Sequence, residues 1–196
     1  MSRRFPVNLI TGAAGAGKTT AILHLLAKRP PDERWAVLIN DFGRATLSTA
    51  SGVSEGKVVL REVAGCICCT AQVAVRTAIV ALLREAAPHR LLVEASAAAR
   101  PASLLHLLRE PGLSDAVDVR ATVCVVNVAQ LRDARYVANE LYREQIVAAD
   151  ALYVTTDDAT AAGADGARAE LQALRSKPAV LFSKGRPFDV ALLDRA

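Results

Sequence analysis

The chain has 196 residues, of which 52% are hydrophobic, which suits one domain with a full core and is too short for two ordinary domains. The formal net charge is only +4 and aromatic residues make up 4% of the chain, so we expect no nucleic-acid partner. No apolar run reaches the ~18 residues of a membrane span and no signal peptide is recognised, so we expect a cytoplasmic protein without a membrane partner.

Short apolar runs alternate with helical patterns rich in Ala, Leu and Arg along the chain. In chain order they predict strands at 7–11, 36–40, 57–61, 90–95, 121–126, 151–155 and 179–182, and helices at 18–28, 70–87, 102–109, 136–149 and 164–175. Residues 46–56, rich in Ser, Thr and Gly, predict a mobile loop. The pattern predicts a single α/β domain over 1–196, with a mostly parallel central sheet and helices on both faces.

The first predicted strand runs into a phosphate-binding motif. Residues 12–19 fit G-x-x-x-x-G-K-[ST] and open a helix, so they predict a P-loop NTPase. Lys18 is expected to neutralise the β- and γ-phosphates, Thr19 to bind Mg²⁺ and Thr20 to contact the α-phosphate. The predicted nucleotide-binding residues of this segment are Gly12, Gly15, Ala16, Gly17, Lys18, Thr19 and Thr20.

A carboxylate is predicted beside this loop. The strand at 90–95 reaches Glu94 on the same edge of the sheet as the P-loop, where ligands bind in such folds. Glu94 could hold Mg²⁺ through water or orient the attacking water, and together with Lys18 it forms the predicted catalytic pair. The alternative is an ordinary carboxylate at the end of a strand.

Three thiols stand close together before the next predicted helix. Cys66, Cys68 and Cys69 could bind zinc or another borderline metal if the segment forms a turn, because residues i and i+2 diverge on a helix. Three thiolates leave a fourth ligand position open, which suits metal transfer. The alternative is a set of small buried hydrophobic residues. Cys124 lies mid-strand and is expected in the core.

These motifs together resemble one family. The P-loop, Asn-Asp-Phe-Gly at 40–43, Gly-Cys-Ile-Cys-Cys-Thr at 65–70 and Glu-x-Ser at 94–96 look like the CobW-type metallochaperone GTPases, over about residues 6–193. The resemblance implies GTP or GDP, Mg²⁺, and Zn²⁺ or Co²⁺ as cofactors. It implies Asp41, Cys66, Cys68 and Cys69 as metal ligands, and Asp158 and Ser183 as contacts near the base.

The chain also departs from that family. Ala97 stands where the family has a glycine whose N–H meets the γ-phosphate, and Thr156 stands where it has a lysine that packs along the base. Lys184 could replace that lysine or could be a plain surface residue. The family's usual C-terminal domain is expected to be absent.

The resemblance implies a metal-coupled GTPase that delivers zinc or cobalt to a client metalloprotein, and it leaves a homodimer open. One alternative is a catalytically weak scaffold or sensor that binds nucleotide and metal. Another is a P-loop ATPase or kinase, which would require ATP to bind better than GTP.

Overall fold

The computed structural model describes residues 4–39, 47–48, 53, 55–63, 72–156, 161–175, 180–183 and 190–194. In these ranges the strands are Phe5–Thr11 (β1), Trp35–Ile39 (β2), Val58–Glu62 (β3), Arg90–Glu94 (β4), Val117–Val119 (β5), Val123–Asn127 (β6), Ala151–Thr155 (β7) and Val180–Ser183 (β8). The helices are Lys18–Ala27 (α1), Gln72–Ala86 (α2), Pro101–Arg109 (α3), Val128–Leu131 (α4), Ala134–Val137 (α5), Glu140–Ala148 (α6) and Ala161–Leu174 (α7). A 3₁₀ turn covers Val190–Asp194.

The strands form one sheet in the order β3-β2-β4-β1-β6-β7-β8, and every described pairing is parallel. The predicted fold class is therefore confirmed. Because β1 lies between β4 and β6, the connections diverge there, and the carboxyl edge beside β1 is where such sheets bind ligands. The P-loop starts at that point.

The sequence missed one strand. Short β5 pairs with the first half of β1, and β6 pairs with its end. Val7 faces Val119 and Ile10 faces Val123, so β5 and β6 advance four residues while β1 advances three. One extra residue on one strand is a β-bulge. The predicted strand at 121–126 therefore begins at Val123, and Ala121 lies in the bulge.

Helices cover both faces of the sheet, as predicted. On one face, Ile10, Val37 and Val125 pack against α1. On the other, Leu9, Leu38 and Val93 pack against α2 and α3. Farther along that face, Val126 and Val154 pack against α6 and α7. Alternate residues of each strand thus enter opposite cores, which is why the strands read as continuous apolar runs.

Two sequence predictions need correction. The single helix predicted over 136–149 is two helices, because Asn139 leaves the helical conformation and its side chain accepts a hydrogen bond from the Tyr142 backbone N–H. Asparagine favours such a capping position. In the loop predicted at 46–56, Leu47 is fully buried and Val53 packs against the same core, so these two residues are anchored. Much of that loop lies outside the described residues.

The described part of the chain contains no helix that is both long enough and apolar enough to cross a membrane.

Candidate nucleotide site

The first residue of the P-loop lies in close contact with the neighbouring strand β6. Gly12 has a φ of 141°, and a Cβ added there would lie 2.4 Å from the Val125 carbonyl oxygen. Only glycine fits such a close approach of two backbones. Gly17, at φ 94°, ends the loop as the N-cap of α1 and supplies no capping side chain. Gly17 therefore offers no side-chain acceptor to the first N–H groups of α1. Such a helix N-terminus suits an anion.

The Lys18 ammonium group lies inside the curve of this loop. Only 6% of the residue is exposed, and Nζ donates hydrogen bonds to the carbonyl oxygens of Gly12 and Ala13, each at 3.2 Å. A buried cation at the positively polarised N-terminus of a helix favours a negatively charged group. The residues present therefore fit the phosphates of a nucleotide.

Thr19 and Glu94 meet across the carboxyl edge of the sheet. Thr19 Oγ1 donates to Glu94 Oε1 at 3.2 Å, and Glu94 is 1% exposed. Parallel pairing sets this position, because Glu94 lies opposite Ile10 on β1 and Ile39 on β2. A threonine hydroxyl and a carboxylate are both hard oxygen ligands of the kind Mg²⁺ prefers. Their adjacency fits the predicted magnesium position.

Two distant side chains brace the loop from β7 and α4. The Thr155 hydroxyl donates to the Ala16 carbonyl oxygen at 2.7 Å, and Gln130 Nε2 donates to the Ala14 carbonyl oxygen at 2.7 Å. Both bonds end on carbonyl oxygens of the loop, so they hold the loop without using its backbone N–H donors. No local pattern points to Gln130, because it lies 116 residues from its partner in the chain.

The segment after Glu94 is tied to α6. Gln145 is 1% exposed, and its Nε2 donates to the carbonyl oxygens of Ala97 and Ala99 at 3.1 and 3.3 Å. Arg100 forms an ion pair with Glu144 on the same helix. The segment that contains Ala97 is thus fixed at several points.

Two cavities flank the P-loop. The first, which we call the alanine cavity, measures about 280 Å³ and is lined by Ala13, Ala14, Ala97, Ala98, Tyr136, Asn139, Leu141, Tyr142 and Gln145. The second, which we call the β7 cavity, measures about 210 Å³ and is lined by Gly15, Ala16, Gly17, Thr20, His24, Asn127, Tyr153, Thr155 and Thr156. The first cavity borders Ala13 and Ala14 of the P-loop, and the second borders Gly15, Ala16 and Gly17, so each lies along a different part of the loop.

Cys124 is in the core, as predicted. It is 1% exposed, and burial raises the pKa of its thiol to about 12, although the nearby Lys18 charge acts in the opposite direction. A buried thiol in apolar surroundings is inert, and Cys124 belongs to the core cluster that includes Val126 and Leu152.

Several predicted site residues lie outside the described residues. They are Asp41, Cys66, Cys68, Cys69, Asp158 and Lys184. Ser183 is the last residue of β8, so its backbone lies at the carboxyl edge of the sheet. Within the described ranges no group of three or more His, Cys, Asp or Glu residues is arranged to hold a metal ion. The cysteine-cluster prediction remains a prediction.

Comparison with known proteins agrees with this geometry. The family described as CobW/HypB/UreG, nucleotide-binding domain, matches residues 6–182. The zinc chaperone YeiR of Escherichia coli (strain K12) is 39% identical over 78% of this chain and 47% of its own length. The zinc chaperone CobW of a Sinorhizobium species is 29% identical over 97% of this chain and 62% of its own length.

Among solved structures, the Zn(II)-bound YjiA GTPase from E. coli superposes with a TM-score of 0.69 at 19% identity, over 98% of this chain and 61% of that one. At this identity the likeness shows the fold. The chain spans roughly half to two thirds of the length of these relatives. The family match covers the P-loop, Glu94 and β7 together, and the chain belongs to the CobW/HypB/UreG family through its nucleotide-binding domain.

Proposed function

We propose that this chain binds GTP with Mg²⁺ and hydrolyses it in the course of transition-metal delivery, zinc being the first metal to test. The observation that carries the proposal is the Thr19–Glu94 hydrogen bond beside buried Lys18, because it joins the P-loop to the acidic end of β4. The names of the relatives, zinc chaperones for YeiR and CobW, support the metal part.

Each described residue has a definite task in this proposal. Lys18 neutralises phosphate charge from a buried position, and the positively polarised N-terminus of α1 adds to that attraction. Thr19 would hold Mg²⁺, which when bound neutralises charge on the β- and γ-phosphates. Glu94 orients water at the carboxyl edge, where its position is fixed between β1 and β2.

The metal part of the proposal rests on the sequence. Cys66, Cys68 and Cys69 would bind the transition metal together with Asp41, and Asp158 and Ser183 would contact the base. Nucleotide and metal would be coupled because residues 40–46 and 64–71 directly follow strands β2 and β3 of the nucleotide edge. Such coupling is reciprocal, so zinc affinity must differ between GDP-bound and GTP-analogue-bound protein.

The first experiment measures binding of fluorescent GTP and GDP to the wild type, Lys18→Ala and Lys28→Ala. Lys28 is the exposed C-cap of the same helix and is the matched control. We expect Lys18→Ala to weaken binding by about 100-fold or more and Lys28→Ala to leave it unchanged. Equal affinities in all three proteins would contradict a P-loop nucleotide site.

The second experiment measures zinc affinity with GDP and with a non-hydrolysable GTP analogue, using a Cys66→Ser, Cys68→Ser, Cys69→Ser variant as control. We expect the zinc affinity of the wild type to differ between the two nucleotide states. We expect the variant to bind zinc more weakly, with the same affinity in both states. Identical zinc affinities in the two nucleotide states would remove the coupling from the proposal.

A nucleotide-dependent sensor with negligible turnover is the second candidate. The fixing of Ala97 and Ala99 by Gln145 favours it, because a held segment responds less to the γ-phosphate. Single-turnover hydrolysis with and without zinc separates the two candidates: cleavage stimulated by zinc supports the GTPase, and binding without cleavage supports the sensor.

A further inference from the structure

A tight turn forms the middle of the P-loop. The Ala16 backbone N–H donates to the Ala13 carbonyl oxygen at 3.2 Å, which closes a four-residue β-turn over 13–16. Gly15, the third residue of this turn, has a φ of 71°, whereas Ala14, the second residue, has a negative φ. A positive φ at the third position alone defines a type II turn. The middle of the P-loop is therefore a type II turn.

The turn type decides the direction of one peptide bond. Types I and II differ by roughly half a rotation of the central peptide, which here joins Ala14 to Gly15. Glycine adopts negative and positive φ about equally well, so Gly15 accepts either type. The hydrogen bond that closes the turn is compatible with both types as well. A contact from outside the turn must therefore fix this peptide.

Gln130 supplies that contact from α4. Its Nε2 donates to the Ala14 carbonyl oxygen at 2.7 Å, and its other contact, to the Tyr136 hydroxyl, is longer at 3.4 Å. The Oε1 atom is buried without a hydrogen-bond partner among the described residues. Rotation of the peptide into the type I form would turn the Ala14 carbonyl oxygen away from Nε2 and break the shorter bond. Gln130 therefore stabilises the type II form.

The peptide that Gln130 holds presents a donor on its other side. The described chain contains no cis peptide bond, and in a trans peptide the C=O and the N–H point in opposite directions. Because the Ala14 carbonyl oxygen faces Gln130, the Gly15 N–H points away from Gln130. Within the described residues this N–H donates to no acceptor. It is therefore available to a ligand.

A neighbouring peptide of the loop has the same arrangement. The Thr155 hydroxyl holds the Ala16 carbonyl oxygen at 2.7 Å, and the Gly17 N–H of that peptide likewise meets no acceptor in the described part of the chain. Backbone N–H groups of nearby residues in such turns form the kind of nest that binds phosphate. The orientation of these loop donors thus depends on side chains that lie far away in the sequence.

We propose that Gln130 is a positioning residue for nucleotide binding, because it holds the 13–16 turn in the type II form and so makes the Gly15 N–H available to a phosphate oxygen. This inference rests on the proposed nucleotide function. In the type I form the Ala14 carbonyl oxygen takes the direction of that N–H, and an acceptor turned toward a phosphate repels it. Only the fraction of molecules with the type II turn therefore binds nucleotide well, and Gln130 sets that fraction.

The first test measures the binding of GDP and of inorganic pyrophosphate to the wild type, Gln130→Met and Gln172→Met. Methionine is unbranched like glutamine but carries no donor, and exposed Gln172 on α7 is the matched control. We expect Gln130→Met to weaken the binding of both ligands by about 3- to 10-fold, the value of one hydrogen bond, and Gln172→Met to leave both unchanged. Unchanged affinities in Gln130→Met would overturn the inference. A loss confined to GDP would do so too, because pyrophosphate has no base or ribose.

The second test reads the turn type by NMR on the unliganded proteins. A type II turn brings the Ala14 Hα close to the Gly15 amide proton, whereas a type I turn brings the amide protons of these two residues close together. The wild type should show a strong Hα–amide nuclear Overhauser effect, and in Gln130→Met the amide–amide effect should grow. Saturating GDP should restore the wild-type pattern, because nucleotide selects the type II form. A wild-type pattern in unliganded Gln130→Met would overturn the inference.

A shorter amide side chain provides a second variant if Gln130→Met does not fold. Asparagine keeps the amide but is one methylene shorter, so in Gln130→Asn the amide no longer reaches the Ala14 carbonyl oxygen at hydrogen-bond distance. This variant should weaken the binding of GDP and of pyrophosphate to the same extent as expected for Gln130→Met. Wild-type affinities in Gln130→Asn would overturn the inference.

Failure of the proposed function looks different. In that case the wild type and Lys18→Ala bind GDP equally weakly, whatever residue stands at position 130. Tight, Lys18-dependent binding together with unchanged affinities in Gln130→Met would leave the nucleotide site intact and remove only this inference.

Discussion

The two sides of the P-loop are built in different ways. The alanine cavity is walled by four alanines of the P-loop and of the segment after β4, and Gln145 holds that segment through carbonyl oxygens. The β7 cavity is walled largely by side chains with hydrogen-bonding groups, among them His24, Tyr153 and Thr155. In the alanine cavity the P-loop and the segment after β4 thus contribute only alanines, and the larger side chains come from the region of α5 and α6. In the β7 cavity, polar side chains of α1, β6 and β7 stand beside the glycines of the P-loop.

The comparison has a physical basis. Phosphates are recognised by converging backbone N–H groups, so the surrounding residues must be small and fixed. A base is recognised by the donors and acceptors along its edge. Side chains that contact the base can therefore be substituted while the P-loop keeps its structure. Substitutions on the P-loop side should therefore cost stability and all nucleotide binding, and substitutions on the β7 side should change ligand preference.

Gly12→Ala should have the largest effect. Its Cβ would meet the Val125 carbonyl oxygen at 2.4 Å, and the backbone of β6 cannot give way cheaply. We expect a loss of at least about 3 kcal/mol in the free energy of unfolding. Gly56→Ala is the control, because its φ of 67° is also positive but nothing lies within 4 Å, so it should lose only about 1 kcal/mol. Chemical denaturation measures both, and equal losses would show that contact with β6 does not matter.

Glu94→Gln should weaken Mg²⁺-dependent GTP binding by about 10- to 100-fold, because a buried charge that faces Thr19 is lost. Binding without Mg²⁺ should change little. Titrating nucleotide with and without Mg²⁺ gives the two affinities. Glu85→Gln, at an exposed ion pair with Arg61, is the control. An unchanged Mg²⁺ dependence would reduce Glu94 to an ordinary strand-end carboxylate.

Cys124 should make the stability fall at alkaline pH. Burial raises the pKa of its thiol from the ordinary value of 9.0 to about 12, so the folded state binds the proton more tightly. This contribution is complete below pH 9 and is lost as the pH rises toward 12, at up to about 1.4 kcal/mol per pH unit. Chemical denaturation between pH 8 and 11 should show that the free energy of unfolding falls less steeply with pH in Cys124→Ala than in the wild type. Parallel curves for the two proteins would contradict the assignment.

Gln145→Ala should have the smallest of these effects on stability, about 1–2 kcal/mol, since the half-buried Ala97 and the buried Ala99 carbonyl oxygens lose a donor. The release of Ala97 should also raise the ratio of GTP affinity to GDP affinity by a few fold. A change of that size corresponds to about the free energy of one hydrogen bond. Exposed Gln172 on α7 provides the control variant Gln172→Ala. A GTP to GDP ratio identical in the wild type and Gln145→Ala would mean that the segment is not held back by this side chain.

Local patterns predicted much of the sheet and of the phosphate site. The P-loop motif between a strand and a helix fixed the positions of Gly12, Lys18 and Thr19, and a buried strand ending in an acid pointed to Glu94. The structure brings Lys18, Thr19 and Glu94 to one edge of the sheet, and this placement could be predicted because each motif depends on a few consecutive residues; their roles in binding stay predictions. The helix break at Asn139 was missed, although a capping asparagine is itself a local signal, because the apolar periodicity continues across it.

By itself the sequence determined the alternation of strands and helices, the phosphate loop and its partner carboxylate, and the family resemblance. Only the tertiary structure decided that Gln130 and Thr155 brace the loop, that Gln145 holds Ala97, and that His24 meets Tyr153. His24 and Tyr153 lie 129 residues apart in the chain, and no spacing rule joins them. They meet because β1, β6 and β7 are neighbours in the sheet while α1 crosses their shared face, an arrangement that depends on strand order and not on local sequence.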